Sequence, residues 1–109
     1  MTAIDEIAAE RRRQIEVEGW TPEHDDAHSD GELSRAAANY AAHASAHMRV
    51  NVSNKVYRCT DPAAHHRFGW PWAMRWWKPK DPRRDLIRAG ALIVAEIERL
   101  DRSTAKAGD

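Results

Sequence analysis

In DPRRDLIRAGALIVAEIERLDR, residues 81–102, a capping residue, a first-turn proline and an unbroken helical period follow one another. Asp81 is placed to cap, Pro82 suits the first helical position, and Leu86, Gly90, Ile93, Ile97 and Leu100 recur at helical spacing. Ile87 and Val94 widen this stripe. The pattern predicts a helix over residues 82–102 whose apolar face is central to the core. A glycine inside a helix costs about 1 kcal/mol relative to alanine, so Gly90 predicts close contact with another helix. The remaining STAKAGD, residues 103–109, reads as a disordered tail.

Upstream the same logic gives two more helices. Thr2 followed by Asp5 is a helix start, and Ile4, Ile7, Ala8, Arg11 and Ile15 then keep one face up to Gly19, predicting a helix over residues 3–18. Its other face carries Glu10, Arg12, Arg13 and Glu16, spaced for mutual pairing. The segment GWTPEHDDAHSD, residues 19–30, is rich in turn formers and reads as an ordered, non-helical loop. Ser29 or Asp30 is expected to cap a second helix over residues 31–49, striped by Leu33, Ala36, Ala37, Tyr40, Ala44, His47 and Met48. Residues 50–81 are expected to be mostly loop, with NVSNKVYRCT a short strand or an irregular excursion. The chain is therefore read as all-α, a small bundle of three main helices with a long tryptophan-rich loop, in one domain over residues 1–102.

Composition bounds what this bundle can do. The chain has 109 residues, 42% hydrophobic and 31% charged, as in a soluble globular protein. Many of the apolar residues are alanines, each burying little area, so the core of one chain is thin and oligomerisation is expected to complete it. Cys59 is the single cysteine, which excludes an internal disulfide and a cysteine-based metal knuckle. That favours the cytoplasm, as does the lack of a spanning apolar run or a secretory signal in MTAIDEIAAERRR. Net charge is zero but uneven: residues 1–32 hold ten acidic and three basic side chains, residues 67–84 one acidic and six basic. Such a split means intramolecular pairing, head-to-tail subunit contact or a basic anion site.

The tryptophans supply the first candidate site. WPWAMRWWKPKDPRR, residues 70–84, holds four of the five tryptophans and five basic residues. Trp70, Trp72, Trp76 and Trp77 cannot all enter a thin core, because each brings roughly 200 Å² and an indole N–H that needs a partner. Interleaved with Arg75, Lys78, Lys80, Arg83 and Arg84, they have the composition of a site where a base stacks on a ring and phosphates meet cations. Two other readings are a helical core closed by two tryptophans under Arg and Lys stems, and a protein interface.

A second cluster, EHDDAH at residues 23–28 followed by Glu32, has the imidazoles and carboxylates that suit zinc, manganese or iron. Asp and His also cap and form loops, and that reading is preferred because the segment does not look helical. His43 and His47 sit one turn apart without a nearby carboxylate, and His65 and His66 are adjacent on a loop, so both pairs are weak ligands. Cys59 and the serines lack any nucleophile motif, no glycine-rich phosphate loop exists, and no helix-turn-helix pattern indicates duplex DNA reading.

Taken together, ERRRQIEVEGWTPEHDDAHSDGELSRAAANYA, WPW, WWKP and RRDLIRAGALIVAEIERLDR resemble a family of small bacteriophage and prophage proteins, over nearly the whole chain except residues 50–66. The resemblance implies an accessory protein: an inhibitor, a sequestering protein or an enzyme of nucleotide metabolism. More distantly, ERRRQ, the EGW loop with its histidine, GEL and the last helix opened by DL resemble the order in all-α MazG-like nucleotide pyrophosphohydrolases. That resemblance implies magnesium held by carboxylates, and only Glu32 and Asp85 match, with Asp26 and His28 as further candidate ligands. Leu33, Ser34, Arg35, Ala36 and Ala37 stand where more glutamates would continue the acidic cage.

The leading expectation is thus a phage-type oligomer in the bacterial cytoplasm that binds, as a sequestering protein would, a nucleotide-like small molecule without hydrolysis and without a required cofactor. Trp70, Trp72, Trp76 or Trp77 stacks the base; Arg75, Lys78, Arg83 and Arg84, with Arg12 from the first helix, neutralise phosphate. The alternatives are a magnesium-dependent pyrophosphohydrolase using Glu32 and Asp85, and an inhibitor that docks a host enzyme.

Overall fold

The structure, a computed structural model, describes residues 1–51 and 69–108, and the side chains of 1–45 and 69–105. Residues 52–60 of the short-strand reading, Cys59, His65, His66 and the side chains of His47 and Met48 lie outside the described residues, and Asn51 is helical. Thr2 opens helix α1 (Ala3–Glu16) reciprocally: its hydroxyl accepts the Asp5 N–H, and the Asp5 carboxylate accepts the Thr2 N–H. Gly19, at φ +77°, turns the chain, and the Trp20 N–H returns to the Gln14 carbonyl at 2.9 Å.

The next segment departs from the expected loop. Residues Pro22–Asp26 form a short helix, α2, because Thr21 accepts the His24 N–H and Pro22 takes the first helical position. Helix α3 (Glu32–Asn51) follows Gly31, whose φ is +82°. Its start is not made by a Ser29 or Asp30 side chain; the Glu32 carboxylate instead accepts the Asp30 N–H at 2.6 Å. A 3₁₀ turn at Met74–Trp76 leads to α4 (Pro82–Gly108), capped as expected by Asp81 on the Arg84 N–H. The expected tail is helical as far as Gly108, since no proline or glycine interrupts STAKA. Among the described residues there is no strand, and no helix is long and apolar enough to cross a membrane.

Helices α3 and α4 pack antiparallel: Ser34 Oγ reaches Glu96 at 3.3 Å, and Arg88 lies over the Tyr40 ring. Their shared core consists of Leu33, Ala36, Ala37 and Tyr40 with Ala89, Leu92, Ala95 and Trp77. Small side chains on both helices bring them together. The buried side of α4 is therefore mainly its alanine side; of the expected core stripe Ile87 is buried, but Leu86, Ile93, Ile97 and Leu100 face out, 44, 49, 52 and 49% exposed. Gly90 leaves that stripe for α1, where a Cβ would lie 2.9 Å from Ile7 Cδ1.

Helix α1 docks by a face that shares Ile7 and Arg11 with the expected stripe but is rotated from it. Ile4 and Ala8 are exposed, whereas Glu10, Arg11 and Gln14 are buried. Glu10 takes Arg84 from α4 and Arg13 from its own helix, the latter at 2.8 Å, and Glu6 pairs with Arg83. Part of the uneven charge thus resolves as pairing within the chain, through Arg83 and Arg84. Burial raises the pKa of the Glu10 carboxyl, but the Arg13 hydrogen bond and the charges of Arg84, Arg13 and Arg88 outweigh it and hold the group below the ordinary glutamate range.

A carboxyl depressed in the folded state stabilises above its unfolded pKa and loses that contribution as pH falls through the folded one. The thermal midpoint should therefore decline as pH is lowered from about 5 to about 3. Glu10→Gln should lower stability at neutral pH by about 1–3 kcal/mol and flatten the acid decline. An acid decline of unchanged slope in that variant would contradict the role given to Glu10.

Candidate functional site: an aromatic recess

The tryptophan segment is fastened to the helices through its backbone. The Tyr40 hydroxyl accepts the Lys78 N–H at 3.1 Å and donates to the Trp76 carbonyl at 3.4 Å. Arg88 donates to the Lys78 carbonyl, and Asp85 Oδ1 accepts the Lys80 N–H at 2.9 Å. Burial raises the Tyr40 phenol's pKa, which keeps it a protonated donor. Trp77 drops into the core, with ring centroids 4.8 Å from both Tyr40 and Trp70 and 5.6 Å from His43. Trp70 packs edge-on against Tyr40, and its indole N–H donates to the Ala73 carbonyl at 3.2 Å.

The other tryptophans meet α2. Trp20, His24, His28, Trp72, Ala73 and Trp76 line an open recess of about 240 Å³. Trp20 lies 5.5 Å from Trp72 and 6.2 Å from Trp76, and is nearly parallel to His24 at 6.3 Å. His28 closes the circle, 4.7 Å from His24 and 5.3 Å from Trp72, with Nδ1 3.0 Å from Glu32 Oε2. The exposed cations Arg75 and Lys78 each sit 5.4 Å from the centre of the Trp76 ring, Lys78 with Glu18 at 4.0 Å. The arrangement offers ring faces and edges for a flat apolar group, and positive charge beside it.

Sequence reasoning chose part of this set. Trp72 and Trp76 line the recess, Arg75 and Lys78 flank it, Trp70 backs it, and Trp77 belongs to the core. Arg83 and Arg84 are engaged by Glu6 and Glu10 on α1, and Arg12 stands exposed on α1, so the phosphate group expected there is not assembled at the recess. Trp20 and His24 were missed as ring donors. The spacing in GWTPEH carried their signal: a capped α2 puts both on the same side.

The carboxylates implied by a magnesium site do not come together. Glu32 holds His28, Asp26 holds Arg102 at 2.8 Å, and Asp85 serves the Lys80 N–H. With Ser34 level with Glu96, Glu32 and Asp85 open antiparallel helices at opposite ends, roughly 15–20 Å apart along the axis at 1.5 Å per residue. Among the described residues no three His, Cys, Asp or Glu side chains form a group able to hold a metal ion. The residues do not fit the implied ion. No family model, characterised protein or solved structure gives a significant match to the chain.

The division of labour among the tryptophans is measurable. Trp77→Ala should cost about 3–5 kcal/mol in urea unfolding, whereas Trp76→Ala, at the rim, should cost about 1 kcal/mol. Equal losses would contradict the assignment of one ring to the core and the other to the recess.

Proposed function

We propose that this protein binds a nucleotide-like small molecule, taking its base into the recess formed by Trp20, His24, His28, Trp72 and Trp76. The observation that carries the reading is the convergence of five aromatic rings from two separate segments on one open recess with exposed cations at its edge. At about 240 Å³ the recess is smaller than the roughly 300–1,000 Å³ of a typical ligand pocket, so it takes a base and leaves sugar and phosphate outside. There Arg75 and Lys78, not Arg83 and Arg84, supply the charge. Sequestration of the kind found among phage accessory proteins needs only binding of this sort.

Calorimetric titration with nucleoside mono-, di- and triphosphates, and with the matching nucleosides, tests the reading. A phosphorylated member should bind, more weakly as salt rises. Trp72→Ala should weaken it about 5- to 150-fold, the worth of one stacked base. Arg75→Ala with Lys78→Ala should reduce the salt dependence, and Arg83→Ala should leave affinity unchanged. No binding by any nucleotide would sink the proposal; nucleosides binding as tightly as nucleotides would sink its phosphate part.

A further inference from the structure

The outward stripe of α4 has a matching feature on α3. Leu86, Ile93 and Ile97 are large, apolar and about half exposed. Beside them, the accessible side of α3 carries Ser34, Ala38, Ala41 and Ser45, all small and uncharged. Ser34, Ala38, Ala41, Ile93, Ile97 and Leu100 share a mostly apolar groove of about 390 Å³, with Glu96 at its floor accepting a hydrogen bond from Ser34 Oγ. One helix thus presents knobs and its neighbour presents holes.

The two rows are in register. Ser34, Ala38 and Ser45 climb α3 at intervals of four and seven residues; Ile97, Ile93 and Leu86 descend antiparallel α4 at the same intervals. A two-fold axis running along the helices exchanges the rows. Ile97 then lies over the partner's Ser34, Ile93 over the partner's Ala38 and Leu86 over the partner's Ser45, with every neighbouring helix pair antiparallel. An identical chain meets this requirement by symmetry, because each copy brings the same knobs and the same holes.

We infer that this face joins two copies of the chain into a four-helix dimer. Charge does not oppose it: the two rows carry none, the one carboxylate lining the groove, Glu96, is largely buried and paired with Arg99, and the net charge of the chain is zero. The half-exposed Leu and Ile side chains with the small residues beside them offer on the order of 400 Å² of apolar surface, near the apolar half of the roughly 800 Å² per partner in a stable interface. A patch of that size is of the order of the largest on a typical monomer, and such patches are often functional. None of the residues lining the aromatic recess belongs to this face.

Light scattering coupled to size exclusion reads the result directly. Wild type should show twice the 12.4 kDa chain mass. Ile97→Asp places a charge on a side chain already 52% exposed, so it should give the single-chain mass while keeping the helical circular dichroism. Should that variant lose its helical signal, Ile97→Ser is the milder test and should still raise the dissociation constant by at least about 10-fold. Met74→Asp, exposed on the 3₁₀ turn of the tryptophan segment, beside a recess that shares no residue with this face, should remain dimeric. A wild-type chain that stays at single mass at about 100 µM, or an assembly untouched by a folded Ile97 variant, would overturn the inference.

Discussion

Arg11 is held by the Trp20 turn and by α2, with Glu98 of α4 3.7 Å from its Nε. From α1 its guanidinium donates to the Trp20 carbonyl at 3.2 Å and to Asp25 Oδ2 at 2.5 Å, and the paired side chains are only 8 and 0% exposed. Taking both charges out of water is costly, so the pair adds little net stability over an apolar replacement; removing one partner is what harms, by about 3–5 kcal/mol. Its value is positional. The pair fixes the Trp20 turn and α2 against α1, and so sets the wall that the tryptophan segment meets from the other side.

That segment reaches its position through a second constraint, the alanine contact of α3 with α4. Because Ala36, Ala37, Ala89 and Ala95 fill little volume, the helices lie close and leave room beside Tyr40 for Trp77. Trp77 anchors the chain, and Trp72 and Trp76, on the same short stretch, are carried to Trp20. The same close approach explains the outward Leu and Ile side chains: a face of alanines already satisfies the pair, and the larger face is left for another surface. One choice of small residues thus shapes both the recess and the exposed stripe.

Much of this was legible before the structure. Thr2 with Asp5, Asp81 with Pro82, and the all-α order followed from capping and period, because those signals are local. Gly90 announced a close neighbour, which proved to be Ile7. The facing of α4 was misread because Leu and Ile outweigh Ala in any apolar pattern, while the actual contact depends on closeness instead of bulk. Arg11 sat among the apolar positions of α1, yet its burial depends on Asp25, fourteen residues away, and no periodic pattern reports that. Arg83 and Arg84 looked available to phosphate since their carboxylates lie more than seventy residues earlier. The aromatic recess was half legible: its composition was plain, and its partner Trp20 required knowing where α2 turns.

The central claim is that the Arg11–Asp25 pair positions the recess and does not merely hold the bundle together. Its most direct measurement is the set of indole N–H resonances in a ¹⁵N correlation spectrum of wild type and of Arg11→Met with Asp25→Leu, which removes both charges together. The account predicts that the signals of Trp20, Trp72 and Trp76 move while that of Trp77 and the helical content stay. Five unmoved indole signals in the double variant would contradict it.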